Sequence, residues 1–320
     1  MTKTRALWNV PDPEAVGGLA QRFEAARSAD PALSGADIEE ILRLVPDQRA
    51  VCRGRLDQRA CIWRIFLSGQ QTAATREWDE LQRIWPEMST GRYKVCEPLY
   101  HSAPHGMIAV EELPGTPLLQ LLWKAPTQDR AAWLDPAAQW LRRYTESTES
   151  WGPSGHAGWL QRAARGAGKQ PFRALKCLEM DILSQLERLA QRLEGLEWRV
   201  AISHGDYHPN NLIALNDTLT GIDTGGSART PIYKDIARFL MHMGRRGMIP
   251  SGQRYLGVDR VGLNAFADRF CMSNTERQVI MPFMLGVEAL IRVETPALSD
   301  SRIRRARRMS SALLEDLKAL

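Results

Sequence analysis

The segment His204-Gly205-Asp206-Tyr207-His208-Pro209-Asn210-Asn211, followed by Ile222-Asp223, constrains this chain more than any other. It sets one carboxylate, an amide five residues later, and a second carboxylate seventeen residues after the first. Phosphoryl transfer calls for such a set. One carboxylate accepts or orients a hydroxyl proton, and hard oxygen ligands hold Mg²⁺ on the phosphates. Each residue alone has an ordinary reading as well: Asp206 as a loop or cap residue, Asp223 as turn chemistry before Gly225-Gly226. The joint spacing is what carries the signal.

The bulk properties frame that signal without adding to it. At 320 residues the chain can build a large core split into two lobes. A net charge of +5 is mildly basic, compatible with nucleotides and too weak to imply nucleic acid. Five scattered cysteines, with no Cys-x-x-Cys pair, read as reduced thiols rather than a disulfide frame or zinc site. Met1 to Val10 lacks the apolar run of a signal peptide. Val279 to Val293 is the most apolar stretch, but Pro282, Gly286, Glu288 and Arg292 interrupt it, so it reads as a buried helix. A cytoplasmic protein without stable membrane insertion is expected.

Two amphipathic helices are expected near the start, about Pro13 to Ala26 and Gly35 to Leu44, forming an N-terminal helical extension over residues 1–46. A hairpin follows, from Ala50 to Arg53 and Arg59 to Phe66 around Gly54 to Gln58. Helical spacing runs through Thr72 to Ile84, and two more strands span Val95 to Tyr100 and Met107 to Glu111. Leu113-Pro114-Gly115-Thr116-Pro117 is dense in turn formers and reads as the linker between lobes. The N-lobe is thus placed at 47–115 and a C-lobe at 116–320. Helices are expected there at Arg130 to Tyr144, Lys176 to Leu193, Asp235 to Met243, Val261 to Asp268, Thr275 to Val293 and from Arg302 onward, with Ser150 to Gln170 a loop.

This order, with His204-Gly205-Asp206-x-x-x-x-Asn211, Ile222-Asp223 and Pro231-x-x-x-Asp235-Ile-Ala, resembles the aminoglycoside phosphotransferase and choline kinase-like family over roughly residues 48–295. The resemblance implies an α+β, two-lobed protein kinase-like fold with a small antiparallel-sheet N-lobe and a larger helical C-lobe. It implies an ATP- and Mg²⁺-dependent transfer of the γ-phosphate to a hydroxyl of a small molecule: an amino alcohol, a sugar or an aminoglycoside-like compound. Asp206 would then position the acceptor hydroxyl, and Asn211 and Asp223 would be the Mg²⁺ ligands. His204 and Asp235 would support the catalytic loop. Backbone groups from Glu111 to Leu113 would serve the adenine. Gly205 stands where many regulated protein kinases carry an arginine, and only eleven residues separate Asp223 from Asp235; both favour a small acceptor over a peptide.

The N-lobe departs from the pattern. The strand position that resembles the phosphate-contacting lysine holds Arg64, with Glu77 its natural helix partner. Arginine keeps the charge, but its planar fork differs from an ammonium. Gly54 is the only glycine of the expected phosphate-covering hairpin, flanked by Arg53 and Arg55. These departures motivate a second reading, a nucleotide-binding pseudokinase or regulatory module. The run Arg302 to Arg308 reads as the solvated face of a terminal helix. Aminoglycosides are polycations, and the basic chain leans against them.

Overall fold

The computed structural model of the protein describes residues 13–45, 47–67 and 71–320. Residues 1–12, on which the signal-peptide expectation rests, lie outside them. The chain divides into two compact units. One runs to Ser89 and takes in Cys96–Leu113; the other comprises Thr90–Val95 and Pro114–Leu320.

The first unit begins with α1 (Pro13–Ala29), then β1 (Ala36–Val45), β2 (Arg49–Leu56), β3 (Arg59–Phe66) and α2 (Gln71–Met88). After β4 (Tyr93–Val95), which belongs to the second unit, it continues with β5 (Pro98–Ser102) and β6 (Met107–Glu111). Its sheet is antiparallel throughout, in the order β1-β2-β3-β6-β5. Strand alternation sorts the side chains onto two faces. Cys61, Trp63, Ile65, Met107 and Ala109 pack with Leu19, Phe23 and Ala26 of α1. Phe66 and Ile108 meet Ala74 and Trp78 of α2.

The segment Gly35 to Leu44, expected as a helix, is instead the strand β1, so the sheet starts before residue 46. The cause is local. Register shifts between Ile38 and Glu40 and between Ile41 and Arg43 interrupt the two-residue alternation. Each bulge adds one residue. Ile38, Ile41 and Leu44 therefore reach the same core at intervals of three, which imitates a helical period. Nor is α1 an appendage: Phe23 meets Trp63 edge-on at 5.3 Å, and the Tyr100 hydroxyl donates to Asp30 just beyond the helix.

The second unit holds β7 (Thr116–Pro117), α3 (Leu118–Lys124), α4 (Leu134–Thr145), β8 (Ser150–Pro153), α5 (His156–Gly168), α6 (Arg173–Gln191) and β9 (Glu197–Ser203). Next come β10 (Leu212–Leu215), β11 (Thr218–Gly221), β12 (Ala228–Pro231), α7 (Ile232–Gly244) and the short ribbon β13 (Arg254–Tyr255) with β14 (Val258–Asp259). Helices α8 (Arg260–Arg269), α9 (Met281–Ile291) and α10 (Asp300–Lys318) close the chain. Every residue from Met281 to Leu290 is buried, so the most apolar stretch is a core helix. Among the described residues no helix is long and apolar enough to cross a membrane.

Ser150 to Gln170, expected as a loop, contains β8, paired to β9, and the helix α5. Its glycines misled the reading. Trp159, Ala163, Gly166 and Ala167 are the buried stripe of α5, and small residues let its backbone come close: a Cβ on Gly166 would sit 2.2 Å from the Leu290 carbonyl oxygen of α9. On α10, Arg304, Arg305, Arg307 and Arg308 are exposed, while Arg302 is half-buried.

Candidate active site

In the second unit, β10 and β11 form a hairpin with Leu212 opposite Gly221. The pairing extends one step further: the Ile222 amide donates to the Asn211 carbonyl at 3.0 Å. Asn211 and Asp223 thus flank the same end of the hairpin. Asp223 itself adopts the left-handed conformation (φ 64°, ψ 51°) that aspartate tolerates better than most residues. The Asn211 side-chain amide nitrogen donates to the Asp206 carbonyl at 3.0 Å. With its nitrogen so used, its oxygen is the atom left for a cation. An amide oxygen and a carboxylate are hard donors and suit Mg²⁺, which takes few protein ligands when phosphates supply the others. No cluster of three His, Cys, Asp or Glu side chains fit to hold a metal occurs among the described residues.

The loop carrying Asp206 is fastened from several sides. Tyr207 is fully buried, stacked between Trp140 at 5.4 Å and Phe239 at 5.1 Å, and its hydroxyl donates to the Ala137 carbonyl. His204, also buried, bonds through Nε2 to the Ile222 carbonyl at 3.0 Å, next to Asp223. Asp235, in the first turn of α7, accepts from the Gly205 amide at 3.0 Å, and Lys234 donates to the Gly205 carbonyl at 2.6 Å. Gly205 has φ +84°, and a Cβ there would stand 1.9 Å from the Gly226 carbonyl oxygen. Only glycine meets both conditions. The absence of an arginine at this position has a steric cause in this chain.

Asp206 is half-exposed and faces cations. Arg238 Nε donates to Oδ1 at 2.9 Å, Arg292 Nη2 lies 3.6 Å from the same oxygen, and His208 Nε2 lies 3.4 Å from Oδ2. Burial would raise this carboxyl, but the His208 contact and the Arg238 charge outweigh it and hold Asp206 well below the usual carboxylate range. So weak a base is better suited to orienting a hydroxyl than to stripping its proton early. His208 stacks on His242 of α7 at 4.4 Å. Burial, and then the charges of Arg246 and its neighbours, push His242 far below its ordinary value, so it stays neutral.

Arg238 and Arg292 escaped the sequence reading. Arg238 lies three residues beyond Asp235 on the same helix, so the two share a face toward the loop; that spacing was the available signal. Arg292, at the end of α9 and 86 positions past Asp206 in a chain of 320, gave none.

The remaining predicted residues lie in the first unit. Arg64 shares the α2 face of β3 with Phe66, and its guanidinium donates to Glu77, both side chains being buried. Arg64 is therefore not a solvated strand residue. Gly54 departs from its expected place: it lies inside β2 and not at a hairpin tip, which is formed by Asp57 and Gln58. A Cβ on Gly54 would meet the Asp37 carbonyl oxygen at 2.1 Å, so the glycine serves the close pass of β1. Its neighbour Arg53 is bonded to Glu40 and Glu112, and so is already matched with carboxylates. Glu111 closes β6 with its carboxylate on the Glu97 amide at 2.9 Å, and Leu113 is the last residue of the unit.

An antiparallel-sheet unit, a helical unit and a His-Gly-Asp loop beside an Asn and Asp hairpin define a kinase-like phosphotransferase class. The sequence matches the profile of the phosphotransferase enzyme family over residues 23–261, and the chain belongs to that family. No curated protein matches the sequence. Among solved structures, a thermostable mutant of aminoglycoside phosphotransferase APH(4)-Ia, in ternary complex with ADP and hygromycin B, is similar at a TM-score of 0.61 and 12% identity, with 91% of this chain and 97% of that one covered. A putative aminoglycoside phosphotransferase from Ralstonia eutropha aligns at 0.59 and 15%, covering 96% and 98%. Choline kinase LicA from Streptococcus pneumoniae aligns at 0.54 and 14%, covering 92% and 99%. At these identities the likeness establishes the fold.

Proposed function

We propose that this protein transfers the γ-phosphate of ATP to a hydroxyl group of a small molecule, with Asp206 orienting that hydroxyl. In the reaction an acceptor O–P bond forms, the bridging P–O bond to the β-phosphate breaks and ADP leaves. The hydroxyl proton passes to Asp206 and then to water. The transition state is loose, so orientation by a weakly basic carboxylate suffices. Asn211 and Asp223 would hold Mg²⁺, which when bound would supply the positive charge that the phosphates require. Arg64, held by Glu77, would contact the phosphates, as the family resemblance implies for its position on β3.

The observation that carries this reading is the bond from the Asn211 amide to the Asp206 carbonyl, which couples the proposed metal-ligand residue to the loop of the proposed orienting carboxylate. Family membership supports it. The reading as a nucleotide-binding module without turnover finds no support there, and Arg64 retains the cation and the carboxylate partner that the position needs. ATP consumption over pooled alcohols, sugars and amino sugars tests the proposal. We expect Asp206→Ala to lower the rate by about 10²–10⁴-fold with folding retained. Equal turnover without Asp206 would remove the assigned mechanism.

A further inference from the structure

Beside Asp206 the second unit carries a pocket of about 380 Å³ between the end of α7, the end of α9 and the start of α10. It is within the size range of small-ligand sites. Its lining is mainly cationic: Arg238 of α7, Arg245 and Arg246 just past the end of that helix, Arg292 after α9, and Arg302 of α10, with Glu294 the carboxylate among them. Two of these, Arg238 and Arg292, are the residues whose guanidinium groups approach Asp206 Oδ1. The pocket and the proposed orienting carboxylate are therefore contiguous.

The carboxylates present do not match this charge. Arg245 is spoken for, bonded to Glu294 at 2.8 Å and to the Arg292 and Ala289 carbonyls. Arg238 and Arg292 share Glu288, at 3.4 and 3.2 Å, and Asp206. Glu179, behind Arg245, is pushed up to about 7 by burial and is bonded to Gln170, so it adds only a partial charge. Arg246 and Arg302 remain. The Arg246 side chain donates to the His242 carbonyl at 2.9 Å, with no carboxylate in an ion pair to it among the described residues. The buried Nη1 of Arg302 has no hydrogen-bond partner. Burial and then the Arg302 and Arg238 charges bring Arg246 down to about 10. Half-buried guanidinium groups that repel one another around a cavity are costly to keep unless an anion is meant to join them.

We propose that the acceptor is an anionic alcohol, whose oxyanion (a phosphate or a carboxylate) is gripped by Arg246 and Arg302, which sets its hydroxyl at Asp206. This rests on the phosphotransferase reading above and narrows it. Guanidinium forks bind both oxyanions with paired hydrogen bonds. A polycationic acceptor would face net repulsion in the same pocket.

Two measurements test this separately from the reaction itself. In the first, inorganic phosphate is titrated calorimetrically into nucleotide-free, Mg²⁺-free protein. Binding is expected in the wild type, at least about tenfold weaker in Arg302→Ala and in Arg246→Ala, and only partly restored in Arg302→Lys, which keeps the charge without the fork. Thermal unfolding checks that each variant is folded. No binding to the wild type, or equal binding by all variants, overturns the site.

In the second, ATP consumption is compared for glucose 6-phosphate, glucuronate, glucose, choline and an aminoglycoside. Turnover favouring the first two is expected, and their ranking separates phosphate from carboxylate. Arg302→Ala should raise the acceptor KM about tenfold and leave the KM for ATP unmoved. Preference for the cationic acceptors, or a change confined to the KM for ATP, overturns the proposal while leaving the phosphotransferase standing. Arg302-dependent phosphate binding without turnover of any acceptor supports the site and counts against the reaction.

Discussion

Replacing Gly205 by alanine tests whether the loop geometry, rather than the identity of the acidic residues alone, sustains the site. The residue has φ +84°, a conformation that costs an L-residue about 1–2 kcal/mol. The added Cβ would lie 1.9 Å from the Gly226 carbonyl oxygen and 2.4 Å from its carbon. Ordinary contact begins near 3.4 Å, so the two backbones must part by roughly 1.5 Å, a rearrangement worth about 1–3 kcal/mol. The loop cannot simply yield, because Asp235 holds the Gly205 amide and Lys234 its carbonyl. The expected loss is therefore about 2–5 kcal/mol in urea unfolding, read from the midpoint at constant slope. The displacement falls between Asp206 and the segment after Asp223, so a rate loss of about 10²-fold should accompany it. Gly195→Ala is the control: φ there is +72° but nothing lies within 4 Å, so only the conformational cost of about 1 kcal/mol remains. Equal losses for the two variants, or a Gly205→Ala protein of wild-type stability and rate, would refute the reasoning.

Glu77→Ala should destabilise the first unit by about 3–5 kcal/mol in denaturant unfolding, because it strands the buried Arg64 charge; Glu77→Gln should cost less. The pH–rate profile should show no loss from Asp206 until pH falls below the ordinary carboxylate value of about 3.9, since its pKa is depressed and its ionised form persists above that point. Arg238→Gln removes one of the causes, so the acid limb should move up in pH and the rate should fall; an unmoved limb would contradict the assigned electrostatics. Arg199→Met should cost about 3–5 kcal/mol in thermal or urea unfolding, as it leaves Glu276 buried 2.7 Å from a lost partner that also ties the Phe270 carbonyl to β9.

The fold class was readable because strand runs, turn formers and one spaced motif agree with one another, and local agreement of this kind specifies an architecture. The motif spacing was sufficient to set Asn211 and Asp223 at one hairpin end, since eleven intervening residues leave room for little besides β10, a turn and β11. Misreadings arose where a local pattern has two solutions. Bulges in β1 turned a two-residue alternation into an apparent three-residue one. Glycine and polar residues over Ser150 to Gln170 looked like loop composition because the carbonyl of α9 that Gly166 accommodates is more than 120 residues distant. Gly54 was placed in the hairpin turn for want of knowing that Asp37 passes beside it in β1.

By itself, then, the sequence determined the family, the two-unit architecture and the spacing that brings Asp206, Asn211 and Asp223 to one loop and hairpin, because that spacing is short-range along the chain. The tertiary structure alone decided what surrounds Asp206. Arg238, Arg292 and Arg302 come from three helical regions, and their convergence follows from how α7, α9 and α10 pack. Charge complementarity is a property of distances in space, and distances of that kind are not written in the order of residues.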